Sequence, residues 1–236
     1  MAAVPAFDIV TIFPGFFDGP LRAGVLAKAL ERGLLAVRVH DLRDYTDDAY
    51  RSVDDYPFGG GVGMVMKPEP FFRAVEDIEA KHGRGWRVFL TPQGRPLTHA
   101  RCGEIAAREH VLLLCGRYKG VDERVRASLV DEEISLGDFV TSGGEVAALA
   151  AVEAASRFIP GVLGDEDSAA TDSFATGCLD HPHYTRPREF RGLAVPEILL
   201  SGNHGAIEKW RREQALARTR EVRPDLIGEE SEDDGA

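Results

Sequence analysis

Three glycine-containing loops hold the residues of this chain that are best suited to bind a small ligand. They are Thr91 to Gly94, Gly116 to Tyr118, and Leu136 to Gly144, and each follows a short apolar run. Glycine allows backbone N–H and C=O groups to approach a ligand closely and to adopt dihedral angles that other residues avoid. We therefore expect a single pocket to use all three loops.

Charged residues elsewhere offer acid–base and anion-binding chemistry, and each also has an ordinary structural explanation. Asp172 has the type of a general base, or it caps a helix or belongs to a solvated linker. Arg157 ends an apolar helix, where the helix dipole alone favours a cation. Between Tyr184 and Arg223 there are nine basic residues against five acids. That segment could bind a polyanion or form a solvated face, and the pattern leaves both interpretations open.

Other common chemistries are not supported by residue spacing. Cys178, His181 and His183 are metal-ligating types, but Pro182 stiffens the stretch and no fourth ligand is apparent. We interpret it as a polar connector and predict no metal site. The glycines at 59–63 are followed by Met64 where a dinucleotide-binding motif needs glycine, and the chain has no Walker motif or G-x-S-x-G elbow.

The elements that must position these loops alternate between strand and helix. Alternation of this kind predicts an α/β fold with a mostly parallel sheet covered on both faces. Ligands in such sheets bind at the carboxyl ends of the strands, where the three loops begin. We interpret 41–63 as a mobile loop and Asn203 as the cap of a later helix. The predicted strands are 7–13, 36–40, 86–90, 112–115 and one near 134, and the predicted helices lie near 21–30, 68–78, 98–108, 121–129 and 145–158.

Composition sets the class of protein. The chain has 236 residues, 44% of them apolar, which is enough for a substantial core. It lacks an apolar run of about 18 residues and a recognisable export signal, so we expect a cytoplasmic protein. Three widely spaced cysteines do not predict a disulfide framework. The net charge of −11 argues against simple nucleic-acid binding, although much acid lies in a tail that we predict to be disordered.

A family resemblance extends these inferences. Seven motifs, in order and spanning about Phe7 to Leu226, resemble the bacterial tRNA (guanine-N1)-methyltransferases of the TrmD type. Only the first residues and the acidic tail fall outside the match. The motifs are Asp8 to Pro14, Pro57 to Met64, Cys115 to Tyr118, Gly120 to Arg124, Ser135 to Val140, Arg157 to Gly164 and Pro182 to Pro187.

The resemblance implies a specific fold and organisation. We expect an α/β SPOUT fold with a mostly parallel sheet and a deep C-terminal trefoil knot, plus a small helical C-terminal domain. The implied divisions are an S-adenosylmethionine-binding domain with the knot at 1–163, a flexible interdomain linker at 164–176, a helical tRNA-binding domain at 177–226 and a disordered acidic tail at 227–236. The resemblance also implies a homodimer in which the linker of one subunit covers the cofactor of the other.

The implied activity is methylation, dependent on S-adenosyl-L-methionine, of N1 of the guanine immediately 3′ of the tRNA anticodon, which supports reading-frame maintenance. Asp172 matches the family's general base, and Arg157 matches the residue that stabilises charge on the guanine O6. The implied tRNA-binding residues are Gly59, Gly60, His183, Arg186, Arg188, Lys209 and Arg211. The implied cofactor-binding residues are Thr91, Pro92, Gly94, Gly116, Arg117, Tyr118, Leu136, Gly137, Asp138, Phe139, Val140, Thr141, Gly143 and Gly144.

One residue departs from the family pattern. Lys119 stands where the Gly-Arg-Tyr-x-Gly segment usually has glutamate. Because the family is Mg²⁺-dependent, the change leaves open whether Mg²⁺ is used here. Two alternatives also stay open: a related SPOUT RNA methyltransferase with a different target base, and a non-catalytic cofactor- or RNA-binding protein.

Overall fold

The computed structural model describes residues 4–164 and 171–227. The chain forms two compact units, Met1–Gly164 and Asp165–Ala236, which are described separately. Most of the predicted acidic tail, and residues 165–170 of the predicted linker, lie outside the described residues. Among the helices within these ranges, none is long and apolar enough to cross a membrane.

A five-stranded parallel sheet forms the centre of the first unit, which confirms the predicted α/β fold. Its strand order is β2-β1-β6-β5-β7. The two short strands β3 and β4 form a separate antiparallel pair. The strands are β1 (Ala6–Thr11), β2 (Ala36–Asp41), β3 (Asp54–Asp55), β4 (Val65–Met66), β5 (Trp86–Pro96), β6 (His110–Cys115) and β7 (Glu132–Ser135).

Helices cover both faces of this sheet. Neighbouring residues of a strand point to opposite faces, so Leu113 joins one apolar core and Leu112 the other. The first core includes side chains from α1 and α5, and the second includes side chains from α2 and α4. The helices are α1 (Gly24–Glu31), α2 (Pro68–His82), α3 (His99–Ala106), α4 (Glu123–Ser128) and α5 (Glu145–Ser156), with 3-10 helices at Pro14–Phe17, Pro20–Arg22 and Leu42–Tyr45.

Strand β5 is longer than the sequence pattern predicts. The predicted strand ends at Leu90, but Arg95 and Pro96 pair again with Ile134 and Ser135 of β7 after a register shift. Pairing stops between Leu90 and Arg95, so the first glycine loop is a bulge between two paired segments rather than a strand end. The region 41–63, predicted as a loop, contains a 3-10 helix and β3.

The second unit contains a hairpin and a long helix. The hairpin consists of β8 (Glu189–Phe190) and β9 (Leu193–Ala194), and both residues of its turn, Arg191 and Gly192, have positive φ. It was not predicted. After a 3-10 helix at Glu197–Leu200, helix α6 spans His204–Val222, and a last 3-10 helix spans Pro224–Leu226. The predicted cap is confirmed, because Asn203 Oδ1 accepts a hydrogen bond from Ala206 N at 3.2 Å.

Candidate active site

A cavity of about 440 Å³ lies at the carboxyl ends of β5, β6 and β7. All three glycine loops line it, so the expectation of one shared pocket is confirmed for this unit. Gly94, Gly137 and Asp138 belong to these loops without lining the cavity. The expected cofactor-binding residues that do line it are Thr91, Pro92, Gly116, Arg117, Tyr118, Leu136, Phe139, Val140, Thr141, Gly143 and Gly144.

Gly94 is explained by strand packing. A Cβ atom at this position would lie 2.4 Å from Ile134 N and 2.7 Å from Glu133 O. Only glycine therefore lets the first loop pass this close to the backbone of β7. Gly137 has a φ of +147°, a conformation that residues with side chains rarely adopt, so the backbone of the third loop explains it.

The second and third loops are joined directly to each other. Arg117 and Gly143 form an isolated antiparallel β-bridge, and Gly144 N donates a hydrogen bond to Gly116 O at 3.0 Å. A Cβ atom on Gly144 would lie 2.8 Å from Cys115 Cα. This close approach fixes the two loops as one wall of the cavity, with their backbone groups beside the bound ligand's space.

A buried carboxylate holds this wall. Glu145 lies in the first turn of α5 and is only 1% exposed. It accepts hydrogen bonds from Thr11 Oγ1 at 2.7 Å and from Arg117 Nε at 3.1 Å, and the helix N-terminus favours its charge. The Arg117 guanidinium also lies 4.4 Å from the ring centroid of Phe13. The Arg117 side chain is thus an anchor for the loop, a role that sequence patterns did not reveal.

The cavity also contains residues outside the predicted set. Phe89, Leu90, Val121, Ile134 and Ala147 add apolar surface. Arg126 and Lys119 are further cationic residues of the lining, and no carboxylate lines the cavity among the residues that the structure describes. Arg126 is held by Glu133 at 2.9 Å and by Glu123 at 2.9 Å.

The thiol nearest the cavity is unreactive. Burial raises the pKa of Cys115 well above its ordinary value, and the charge of Glu145 raises this pKa further. A thiolate is the nucleophilic form of cysteine, so Cys115 is unsuited to covalent catalysis.

The predicted residues outside the loops are divided between the two units. In the first unit, half-buried Arg157 forms the C-cap of α5, while Gly59 and Gly60 have positive φ beside the fully exposed Phe58. In the second unit, half-buried Asp172 lies in a turn where its carbonyl accepts a hydrogen bond from Ala175 N at 3.2 Å. The structure therefore does not bring Asp172 and Arg157 together within one unit.

The predicted tRNA-binding residues of the second unit are on its surface. Arg186 and Arg188 are exposed and make no ion pair within residues 171–227. On α6, Lys209 Nζ lies 3.9 Å from Glu213, and Arg211 Nη1 lies 2.7 Å from Glu208. Ion pairs on exposed side chains are weak, so these two cations can exchange partners with a phosphate.

Comparison with known proteins identifies the family. Residues 6–229 match the family model described as tRNA (Guanine-1)-methyltransferase TrmD. This chain belongs to that family. Membership in the TrmD family makes it a methyltransferase, which requires a methyl donor.

Similar full-length relatives carry the same name. A tRNA (guanine-N(1)-)-methyltransferase of Geotalea uraniireducens is 54% identical over 221 residues, covering 94% of this chain and 90% of the relative. One of Chlorobium luteolum is 51% identical over 225 residues, covering 95% and 97%. One of Protochlamydia amoebophila is 50% identical over 220 residues, covering 93% and 98%.

Proposed function

We propose that this TrmD-family protein transfers the methyl group of S-adenosyl-L-methionine to N1 of the guanine immediately 3′ of the tRNA anticodon, and so supports reading-frame maintenance. The observation that carries the proposal is the three-loop cavity at the carboxyl ends of β5, β6 and β7 in a chain of this family. Since the substrate is tRNA, we place the enzyme in the cytoplasm.

The cavity suits the proposed donor. Its volume of about 440 Å³ is in the range of small-molecule sites. Backbone groups of the three loops can hydrogen-bond the purine edge, while Leu90, Leu136 and Phe139 contribute apolar surface to the walls. A purine with an attached methionine has polar edges and flat apolar faces, which match this combination.

The finer fold that we propose is the SPOUT arrangement with a deep trefoil knot, followed by a helical tRNA-binding domain at 177–226. The pairing of the loop before α5 with the loop after β6, through Gly144 and Gly116, supports this arrangement. The 19-residue helix α6 supports the helical assignment of the C-terminal domain.

The chemistry that we propose needs one base and one cation. Asp172 takes the proton from guanine N1, and the N1 electron pair then forms a bond to the methyl carbon. The carbon–sulfur bond breaks with its electrons moving to sulfur, so the sulfonium becomes a neutral thioether. Arg157 stabilises the negative charge that appears on the guanine O6 as the proton leaves.

We propose a homodimer with a composite site. Asp172 belongs to the second unit, whereas the cavity belongs to the first, and the family organisation places the linker of one subunit over the cofactor of the other. Large apolar side chains of the first unit are exposed, among them Phe139 at 57% and Val140 at 83% at the cavity itself. Exposed apolar surface of this kind supports burial against a second copy.

The residues at the cavity do not fit a Mg²⁺ ion. Mg²⁺ prefers carboxylate, phosphate and water oxygens. The charged residues that line the cavity in the described part of the chain are cations, Arg117, Lys119 and Arg126. Glu145 is nearby but already accepts hydrogen bonds from Thr11 and Arg117. No step of the proposed reaction is assigned to Mg²⁺ here.

The decisive experiment is methylation of unmodified tRNA with labelled S-adenosylmethionine by the parent protein and by Asp172→Asn. We expect the variant to lose roughly 10²- to 10⁴-fold in turnover, the usual contribution of a positioned base, and to keep its donor affinity. Asp225→Asn is the matched control, because Asp225 is an exposed acid of the same unit that pairs with Arg223. Full turnover in Asp172→Asn would refute the base assignment.

Mapping the methylated nucleotide in the same reaction separates the alternatives. Methylation of another base would identify a related RNA methyltransferase with a different target. Donor binding without any methylation by the parent protein would identify a non-catalytic binding protein.

A further inference from the structure

A cluster of potential metal ligands lies in the second unit, outside the cavity and the proposed catalytic pair. Asp180, His181 and His183 each present one ligand atom, and these three atoms lie within 4.8 Å of one another. The two imidazole rings are 4.4 Å apart between centroids. Sequence analysis considered Cys178 with the two histidines and did not include Asp180.

The hydrogen bonds around His181 orient it as a ligand. Its Nδ1 lies 3.2 Å from the carbonyl oxygen of Pro182, so Nδ1 carries the proton of the neutral ring and donates it. Nε2 then keeps its lone pair and lies 3.8 Å from Asp180 Oδ1. A backbone carbonyl that fixes the imidazole tautomer in this way is the usual outer partner of a metal-bound histidine.

Asp180 is also held in place from both sides. Its N–H donates to Ser173 Oγ at 2.9 Å, and its Oδ1 accepts from the backbone N–H of His181 at 2.7 Å. Its second oxygen, Oδ2, faces His183 Nε2 at 2.8 Å. Burial raises the pKa of Asp180, but the hydrogen bond from His183 and the backbone N–H of His181 outweigh burial and keep the carboxyl ionised. One carboxylate and two neutral imidazoles therefore converge with a net charge of −1.

The distances are close to those around a bound ion. Ligand atoms at about 2.0–2.1 Å from a tetrahedral ion are about 3.3 Å from each other. The observed separations of 2.8 Å and 3.8 Å from the Asp180 oxygens lie on either side of that value. The His183 side chain is 70% exposed, so its ring is free to rotate by the small amount required.

We propose that Asp180, His181 and His183 form a binding site for a divalent transition-metal ion, represented by Zn²⁺. Two imidazoles and one carboxylate suit Zn²⁺ or Co²⁺ better than Mg²⁺, which prefers oxygen ligands. Water completes the coordination, since the three residues supply only part of it. The ion replaces the proton shared between His183 and Asp180. Because Ser173 holds Asp180 and directly follows Asp172, metal binding also restrains the segment that begins at the proposed base.

Titration of the full-length protein with Co²⁺ tests the site without relying on activity. Four- or five-coordinate Co²⁺ has intense visible d–d bands, and Zn²⁺ should abolish them by competition. We expect Asp180→Asn, His181→Ala and His183→Ala each to weaken Co²⁺ binding at least about tenfold. His204→Ala, which removes an exposed histidine of the same unit, should bind as the parent does. Circular dichroism checks that each variant remains folded.

Three outcomes would overturn the proposal. The first is a Co²⁺ spectrum with only the weak bands of the hydrated ion. The second is equal affinity in the His183→Ala and His204→Ala variants. The third is a thiolate charge-transfer band that Cys178→Ser removes while Asp180→Asn does not, which would transfer the site to the cysteine. As a further readout, Zn²⁺ should slow hydrogen exchange at the Asp180 amide, and unchanged exchange would contradict the restraint on the Ser173 segment.

Discussion

Replacement of Gly94 by alanine tests whether strand packing, rather than the ligand, requires glycine in the first loop. The added Cβ would meet three backbone atoms of β7 at 2.4, 2.5 and 2.7 Å. Ordinary van der Waals contact starts at 3.4 Å, so the two strands must separate by about 1 Å at this point. None of the three atoms belongs to a side chain that could rotate away.

The expected cost follows from the contacts that this separation disturbs. Leu97 N donates to Ser135 O at 2.7 Å immediately beyond the bulge. A weakened backbone hydrogen bond costs about 1 kcal/mol, and an extra carbon in a packed site costs about 1–3 kcal/mol. We therefore expect Gly94→Ala to lower the free energy of unfolding by about 2–4 kcal/mol. Since Thr91 and Pro92 line the cavity, donor affinity should fall about tenfold or more.

Urea denaturation and calorimetric titration with S-adenosylmethionine measure the two effects. Gly19→Ala is the matched control, because no atom lies within 4 Å of its added Cβ and its φ is −72°. Such a substitution typically stabilises a protein by about 0.4–1 kcal/mol. If Gly94→Ala is as stable as the parent and binds the donor equally well, the packing explanation of the first loop is wrong.

Three further predictions concern charge. Burial raises the pKa of Glu79, but hydrogen bonds from Arg87 and from the Gly85 N–H lower it from 4.5 to about 2. Its stabilisation is therefore present above pH 4.5 and lost towards pH 2. We expect Glu79→Gln to cost about 2–3 kcal/mol at pH 7 and almost nothing at pH 2 in urea denaturation, and a pH-independent difference would contradict this. Glu145→Gln should weaken donor binding about tenfold in calorimetry by releasing Arg117, whereas unchanged affinity would show that the loop needs no anchor. Loss of Arg186 and Arg188 together should reduce the slope of log affinity for tRNA against log salt by about 1 per phosphate contact, and an unaltered slope would place the tRNA elsewhere.

The sequence allowed the sheet and the position of the pocket to be predicted because local patterns determine both. Short apolar runs that end in glycine marked the ends of β6 and β7. In a parallel sheet such ends meet at one edge, so three separate loops were correctly assigned to one cavity. The continuation of β5 to Pro96 was missed because Pro92 and Gly94 interrupt the strand pattern, whereas pairing with β7 resumes beyond them.

The anchors of the site depend on residues that are distant in the chain. Glu145 and Thr11 are 134 residues apart, and no local pattern indicates that they meet. Arg126 likewise reaches the cavity from α4, in a sequence that resembles an ordinary solvated helix. Strands of two residues are too short to show alternation, so the β8–β9 hairpin was also missed. The cluster at Asp180 was different, because an acid directly before His181 was visible in the sequence and was not considered.

The strand order also determines when this chain can fold during its synthesis. Strand β6 lies between β1 and β5, so β1 has no inner neighbour until roughly 100 further residues have been translated, about 5–20 s at bacterial rates. During that interval the backbone groups along one edge of β1 and one edge of β5 are unpaired and available to other chains. Both apolar cores need β6 as well, through Leu112 on one side and Leu113 on the other. The emergence of this single strand from the ribosome is therefore the point at which the nascent chain loses two adhesive edges and closes two cores.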